Sequence, residues 1–262
     1  MGRRNMNLIF DTTIAQGYHG KTQIARVLTE DWVTHNMYCP ICGNQMLRHY
    51  EANKPVADFY CDACHNDFEL KSKEKASGEL GKMINDGQYD KMIERITSCQ
   101  NPNFFFMHYS DFKVRNLILI PNHYFVPEII VKRNSLAETA RRAGWTGCKI
   151  NIENIPQSGK IFIIHNGEIM DKTSVKHQYE RTLFLKDGDL KNRGWILDVM
   201  SCIEKIPTRD FTLEQVYAFT TELQAKHPQN NHIQAKVRQQ LQFLHDRGFI
   251  DFTSRGHYHK VK

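Results

Sequence analysis

Asp58 and the triplet Glu69-Leu70-Lys71 are the residues of this 262-residue chain whose types and spacing point most directly to chemistry. Two carboxylates and the Leu70 carbonyl make a hard oxygen site suited to Mg²⁺, which keeps several waters and engages phosphate. Lys71 beside them would help to orient and deprotonate an attacking water, while the metal stabilised charge developing on the phosphate. The set is the Asp…Glu-x-Lys form of a magnesium-dependent nuclease site. The solvated face of an ordinary amphipathic hairpin could carry the same three residues.

A second metal signal is interleaved with the first. Cys39-Pro-Ile-Cys42 and Cys61-Asp-Ala-Cys64 are separated by eighteen residues, inside the range of a four-cysteine Zn²⁺ site. Four thiolates close a tetrahedral shell, so the role expected is structural and His49 and His65 are left outside it. Gly43 suits the tight turn after the first pair. Cys99, Cys148 and Cys202 sit in apolar surroundings and are expected to be buried thiols.

These residues need a scaffold, and its local signals are legible. Strands paired about a turn at Ala63-Cys64 would set Asp58 opposite Glu69, Phe59 opposite Phe68 and Cys61 opposite Asn66. Side chains alternate faces, so Asp58, Glu69 and Lys71 would share one face and Phe59, Phe68 and Leu70 the other. Thr22 to Val33 has the spacing of an amphipathic helix, on which Glu30 is a surface carboxylate or an accessory group. Lys75 to Gly81 reads as a loop, and 82–99 as a helix interrupted near Asp86-Gly87. Phe104 to Tyr109, Asn116 to Pro121 and Lys160 to His165 read as strands, with mixed, Pro-punctuated sequence over 122–160. The expected fold is α/β with a mixed sheet.

The composition changes at the polar stretch Lys186 to Arg193, a credible linker. The domains expected are a catalytic one with the zinc site over 1–188 and a DNA-binding one over 189–262. Three helices are predicted in the second: Trp195 to Ile206, one opened by a Thr212-Leu-Glu-Gln215 capping box and running to about Ala225, and Asn231 to Arg247. A hairpin of Phe249 to Phe252 and His257 to Val261 follows, in the order of a winged helix-turn-helix. Residues 190–262 hold eleven Lys and Arg against seven Asp and Glu, most of the chain's net +6. Asn230, Asn231, His232, Lys236, Gln239 and Gln240 lie where a recognition helix meets base edges. In the first domain, Arg141, Arg142 and Trp145 form a loop that could grip phosphate or a guanine edge and stack or wedge. A packed loop tryptophan with solvated arginines is the simpler reading of it.

Forty per cent hydrophobic and 11% aromatic residues suit a folded protein, and no apolar run approaches the roughly 20 residues a membrane helix needs. The basic start, Met1-Gly-Arg-Arg-Asn, lacks the apolar core of a secretory signal, and two Cys-x-x-Cys pairs suit a reducing compartment. A cytoplasmic protein without membrane association is expected. Its mildly basic charge permits a polyanionic partner without demanding one.

Longer stretches carry a resemblance: Arg26 to Trp32, Pro55 onward to Tyr60, Phe68 to Lys73, Ile84 to Gly87, Asn101 to Phe106, Ala140 to Trp145, Arg193-Gly-Trp195, Asn230 to Ile233 and Arg238 to Leu241. Through them the chain resembles, over nearly its full length, the DpnI family of methyl-directed type II restriction endonucleases, of the PD-(D/E)XK class. The resemblance implies cutting of double-stranded DNA at G-A-T-C when the adenine is N6-methylated. It implies Asp58, Glu69 and Lys71 as catalytic, and Asp58, Glu69 and the Leu70 carbonyl as Mg²⁺ ligands. DNA would be read by the Arg141 to Trp145 loop and by the winged helix, with Trp195 and Arg255 among the contacts. The monomer is the expected state. The family's Pro-Asp dipeptide is interrupted here, since Val56-Ala57 separate Pro55 from Asp58. A methyl group contributes only about 1 kcal/mol of burial, so discrimination would need shape or a second reading domain. The rivals are a non-catalytic zinc and winged-helix regulator, and a structure-specific nuclease indifferent to methylation.

Overall fold

The computed structural model describes residues 6–51, 57–75, 81–186 and 188–261. Pro55, Val56, most of the loop expected at Lys75 to Gly81, and Asp187 lie outside the described residues. The chain divides into two units, Met1–Ile152 with Ser158–Leu183, and Glu153–Gln157 with Phe184–Lys262.

In the first unit, α1 (Lys21–Asn36) precedes β1 (Arg48–His49), β2 (Phe59–Tyr60) and β3 (Asp67–Glu74). Next come β4 (Met83–Gln88), α2 (Tyr89–Thr97), β5 (Asn103–Ser110) and β6 (Lys113–Ile120). The unit continues with β7 (Ile130–Lys132), β8 (Gly147–Asn151), β9 (Ile161–His165), β10 (Glu168–Ile169) and α3 (Lys172–Glu180). A mixed sheet runs in the order β1-β2-β3-β5-β6-β9-β10, with β3 and β5 its parallel pair. All eight residues of β5 are buried, which is why Phe104-Phe105-Phe106-Met107 is continuously apolar rather than alternating. One face of the sheet packs on α1, through Leu28, Trp32 and Val33, and on Val175 and Tyr179 of α3. Phe68 and Phe105 stack at 4.9 Å within that layer. On the other face Phe104 stacks on Phe125 at 4.6 Å. Gly159 permits one close approach there, since a Cβ on it would meet the Tyr124 ring at 2.4 Å.

Two expectations fail in this unit. Residues 82–99 are a strand followed by a helix rather than one interrupted helix. Asn85 and Asp86 pair with Lys149 and Cys148 in a second sheet, β4-β8-β7. The strand's partner lies some sixty residues away, beyond the reach of any local periodicity. Cys99 is exposed, at a left-handed φ of 56° just past α2; Cys148 and Cys202 are buried as expected.

The second unit comprises α4 (Leu190–Lys205), β11 (Asp210–Thr212), α5 (Leu213–Tyr217), α6 (Thr220–Lys226), α7 (Ile233–Asp246), β12 (Ile250–Ser254) and β13 (His257–Lys260). Thr212 and Gln215 form the capping box, but the helix it opens breaks at Ala218–Phe219 into α5 and α6. On α7, Ile233, Val237, Leu241 and Leu244 are buried, and Gly248 ends the segment at φ 70°. The hairpin gains a third strand, giving the order β11-β13-β12. The unit begins ahead of the polar stretch expected as linker: Phe184 packs on Phe249 at 4.9 Å, and Asp189 caps α4.

Candidate functional site

The cysteine hairpin is built from one device used twice. In Cys39-x-x-Cys42-Gly-Asn44 and Cys61-x-x-Cys64-His-Asn66, the first cysteine's N–H donates to the asparagine carbonyl, at 2.8 and 3.0 Å. The residue after the second cysteine donates back to the first cysteine's carbonyl, Gly43 at 2.9 Å and His65 at 2.8 Å. Both adopt left-handed φ, 84° and 55°. Asn44 and Asn66 then turn their amides toward Cys61 Sγ and Cys64 Sγ, at 3.6 and 3.4 Å. The four Sγ atoms lie within 4.8 Å of one another, and Cys39–Cys64 and Cys42–Cys61 are each 3.6 Å apart. A tetrahedral zinc with bonds of about 2.3 Å has sulfur–sulfur edges of about 3.8 Å, so the cluster could hold Zn²⁺. Burial pushes the Cys39 thiol up; at Cys61 the Cys64 and Ala63 N–H groups outweigh burial and bring it to about 7. His49 is directed elsewhere, toward Glu30 at 3.3 Å.

The second knuckle closes the hairpin that carries Asp58 and Glu69. Phe59 pairs with Phe68, and the Asp58 N–H donates to Phe68 O at 3.0 Å, so Asp58 stands across from Glu69. The Leu70 N–H donates to Asp58 Oδ2 at 2.7 Å. A residue's N–H and C=O share one edge of a strand, so the Leu70 carbonyl also faces the edge by Asp58. Burial raises the Asp58 carboxyl above its ordinary range, and the neighbouring charges of Glu69 and Glu30 add to the rise.

Glu69 and Lys71 are covered by elements that the sequence reading did not assign to the site. Lys71 Nζ lies 2.5 Å from a Glu69 oxygen and 2.5 Å from Asp86 Oδ1 on β4. Arg95 Nη2, from α2, reaches the other Glu69 oxygen at 2.6 Å. Burial opposes the charge on Glu69, but Lys71 and Arg95 outweigh it and hold the carboxyl below its usual range. Burial likewise opposes the Lys71 ammonium, and Glu69 and Asp86 outweigh it and push its pKa up. In this arrangement the Lys71 ammonium is held between the carboxylates of Glu69 and Asp86. Only spacing hinted at the two newcomers: Arg95 falls between Met92 and Ile96, the residues that α2 buries. Glu30 is occupied by Arg26 at 2.7 Å and by His49.

The remaining residues marked in the sequence are surface groups, with two exceptions. Arg141 and Arg142 are exposed, and the Arg142 guanidinium lies 4.6 Å from the Trp145 ring. Trp145 folds back over Gly147, where a Cβ would meet the indole at 2.8 Å. Asn231, His232, Gln239 and Arg255 are exposed, and Asn230 and Lys236 half-buried. Asn230 Oδ1 accepts the His232 N–H at 2.8 Å, and Lys236 donates to Gln239 at 2.8 Å. The exceptions are Gln240, 4% exposed, and Trp195, 2% exposed and stacked on His227 at 3.7 Å. Both are packed inside the second unit: Gln240 lies on the buried stripe of α7, and Trp195 lies in the stretch 193–197 of α4, every residue of which is buried.

Among the described residues no helix is long and apolar enough to cross a membrane. The DpnI model, described as the Dam-replacing family, matches residues 6–188, and its companion, the Dam-replacing HTH domain, matches residues 191–260. The first match spans the cysteine cluster, the Asp58–Lys71 hairpin and the Arg95 helix; the second spans the three-stranded wing and the helices before it. On these two matches the chain belongs to the Dam-replacing family of DpnI restriction enzymes.

Proposed function

We propose that this protein is a Mg²⁺-dependent type II endonuclease that hydrolyses double-stranded DNA at G-A-T-C when the adenine is N6-methylated, restricting methylated foreign DNA. The observation that supports the reading is the hairpin edge on which the Leu70 N–H holds the Asp58 carboxylate across from Glu69, with Lys71 beside Glu69. Its donor chemistry fits the ion: hard oxygens only, with an Asp58 carboxylate whose charge is costly until a cation answers it. Asp58, Glu69 and the Leu70 carbonyl would hold Mg²⁺, which when bound supplies positive charge opposite the phosphate.

The chain's own groups do the rest. Hydrolysis forms a bond from a water oxygen to phosphorus and breaks the bond from phosphorus to the departing sugar oxygen; the proton lost by the attacking water passes to bulk water, and the departing oxygen takes one up from bulk water. The Lys71 ammonium donates to the attacking water and the phosphate, fixing both in line. Arg95 holds the rotamer of Glu69. The four cysteines, with Zn²⁺, clamp the hairpin turn so that Asp58 stays across from Glu69.

Methyl recognition is a matter of adding small increments. Burying one methyl contributes about 1 kcal/mol, roughly five-fold in affinity, which is too little for stringent choice. Two reading units that must both be satisfied multiply their ratios. Arg141, Arg142 and Trp145 serve the first unit, and Asn231, His232, Lys236, Gln239 and Arg255 the second. The protein acts in the cytoplasm as a monomer on this reading.

The deciding experiment incubates the protein and Mg²⁺ with plasmid from adenine-methylating and from non-methylating hosts. Cutting of the methylated plasmid alone, mapped to G-A-T-C, is expected. Cutting of both would make the enzyme indifferent to methylation, and cutting of neither would favour a non-catalytic DNA-binding regulator.

A further inference from the structure

Asp86 belongs to none of the groups assigned above, and its setting is unusual. Its side chain is 5% exposed and its Oδ1 lies 2.5 Å from Lys71 Nζ. The same Oδ1 accepts the Gly87 N–H at 2.7 Å, which locks the carboxylate's orientation. Oδ2 is buried and has no hydrogen-bond partner among the described residues. An unsatisfied carboxylate oxygen costs stability, and burying a charge is tolerated only beside a countercharge. Asp86 therefore sits where a strand alone gains nothing from it. It comes from β4, in a different sheet from the hairpin, and β4 is anchored by its pairing with β8.

The charges around Lys71 give the position a purpose. In the structure Lys71 is shared between Glu69 and Asp86, and Glu69 is shared between Lys71 and Arg95. A divalent cation at Glu69 would draw that carboxylate's charge toward itself and leave Lys71 without its first partner. A lysine ammonium on a flexible stem then turns to solvent or to the DNA backbone unless something else holds it. We propose that Asp86 is a positioning residue, which keeps the Lys71 ammonium aimed at the reacting phosphate when Glu69 turns to the metal. The proposal rests on the nuclease reading, and it makes the small β4-β8-β7 sheet a working part of the site.

The test uses the full-length, zinc-loaded protein and methylated G-A-T-C duplex. Asp86→Asn keeps the shape and loses the charge. Its single-turnover cutting rate at saturating Mg²⁺ should fall about 10- to 100-fold, the range for losing a hydrogen bond to a charged group. The Mg²⁺ concentration for half-maximal rate, and DNA affinity measured in non-cleaving Ca²⁺, should stay within about three-fold by the same logic, since Asp86 touches neither ligand. Asp86→Glu should recover part of the rate. A rate within three-fold of wild type would overturn the proposal. So would a large rise in the Mg²⁺ requirement with full rate at saturation, which would make Asp86 a metal ligand instead.

A stability cycle separates this from plain folding and needs no activity. In Lys71→Met, Asp86 is left buried with no cation, so adding Asp86→Asn should make that variant more resistant to urea. The same change in the wild type should make it less resistant. Equal loss in both backgrounds would mean that Asp86 supports its strand and not Lys71. Failure of the wild type to cut any plasmid would refute the nuclease reading, while leaving the Lys71–Asp86 coupling measured by the cycle.

Discussion

Replacing Asp58 should separate stability from activity in opposite directions, and two variants give the two halves. The carboxylate is held up by burial and by the neighbouring negative charges of Glu69 and Glu30, so its ionised form is a liability in the metal-free fold. It also accepts the Leu70 N–H at 2.7 Å, which would otherwise be left without a partner. Asp58→Asn keeps an acceptor oxygen there and removes the like-charge repulsion. Asp58→Ala removes both, leaving a half-buried donor unsatisfied at a cost of about 1–3 kcal/mol. For a unit of this size, each kcal/mol shifts the melting temperature by about 2–4 °C. Without added Mg²⁺, Asp58→Asn should therefore melt about 2–12 °C above Asp58→Ala, and above the wild type at neutral pH. The sign follows from the raised pKa. A carboxyl raised in the fold contributes stability below its unfolded value of 3.8, and loses it as pH climbs through the folded value. The wild-type deficit against Asp58→Asn should accordingly shrink on acidification. Both variants should lose at least about 1,000-fold in cutting while binding methylated duplex in Ca²⁺ as the wild type does. An Asp58→Asn protein no more stable than Asp58→Ala would refute the account of this edge, and one that still cuts would refute Asp58 as a ligand.

Three further outcomes follow from the geometry. Cys61→Ser should abolish a stoichiometric zinc measured by elemental analysis and lower the melting temperature by more than about 10 °C, because the knuckle closes the hairpin's turn. Arg142→Glu should weaken binding to methylated and unmethylated duplex alike and lower the slope of log affinity against log salt by about 1, whereas Trp145→Ala should act mainly on the methylated site. Gly159→Ala should destabilise the first unit by about 1–3 kcal/mol in urea without changing DNA affinity, since its Cβ meets the Tyr124 ring.

What was legible in advance is what depends on neighbours in the chain. Two Cys-x-x-Cys pairs declare their ligand geometry through short spacing, and the register of Asp58 on Glu69 follows from alternation across a short hairpin. The α7 stripe and the Thr212 capping box are likewise local. Residues 82–99 misled because Asp86 is a strand residue only by virtue of Cys148, far along the chain. Trp195 could be placed on a helix but not on a side of it that meets DNA, since its stacking on His227 depends on how α4 and α6 come together.

The amino-acid order by itself determined which groups could hold metals: four cysteines at knuckle spacing, and an aspartate with Glu-Leu-Lys on the same hairpin. Tertiary structure decided what those groups are set to do. It brought Arg95 from α2 and Asp86 from a second sheet onto Glu69 and Lys71, which turns an exposed charged face into a covered ionic cluster with the lysine held as a cation. The physical reason is range. Backbone geometry and side-chain alternation act over a few residues, whereas the burial and charge that set a carboxylate's or an ammonium's state come from whatever the fold packs against it.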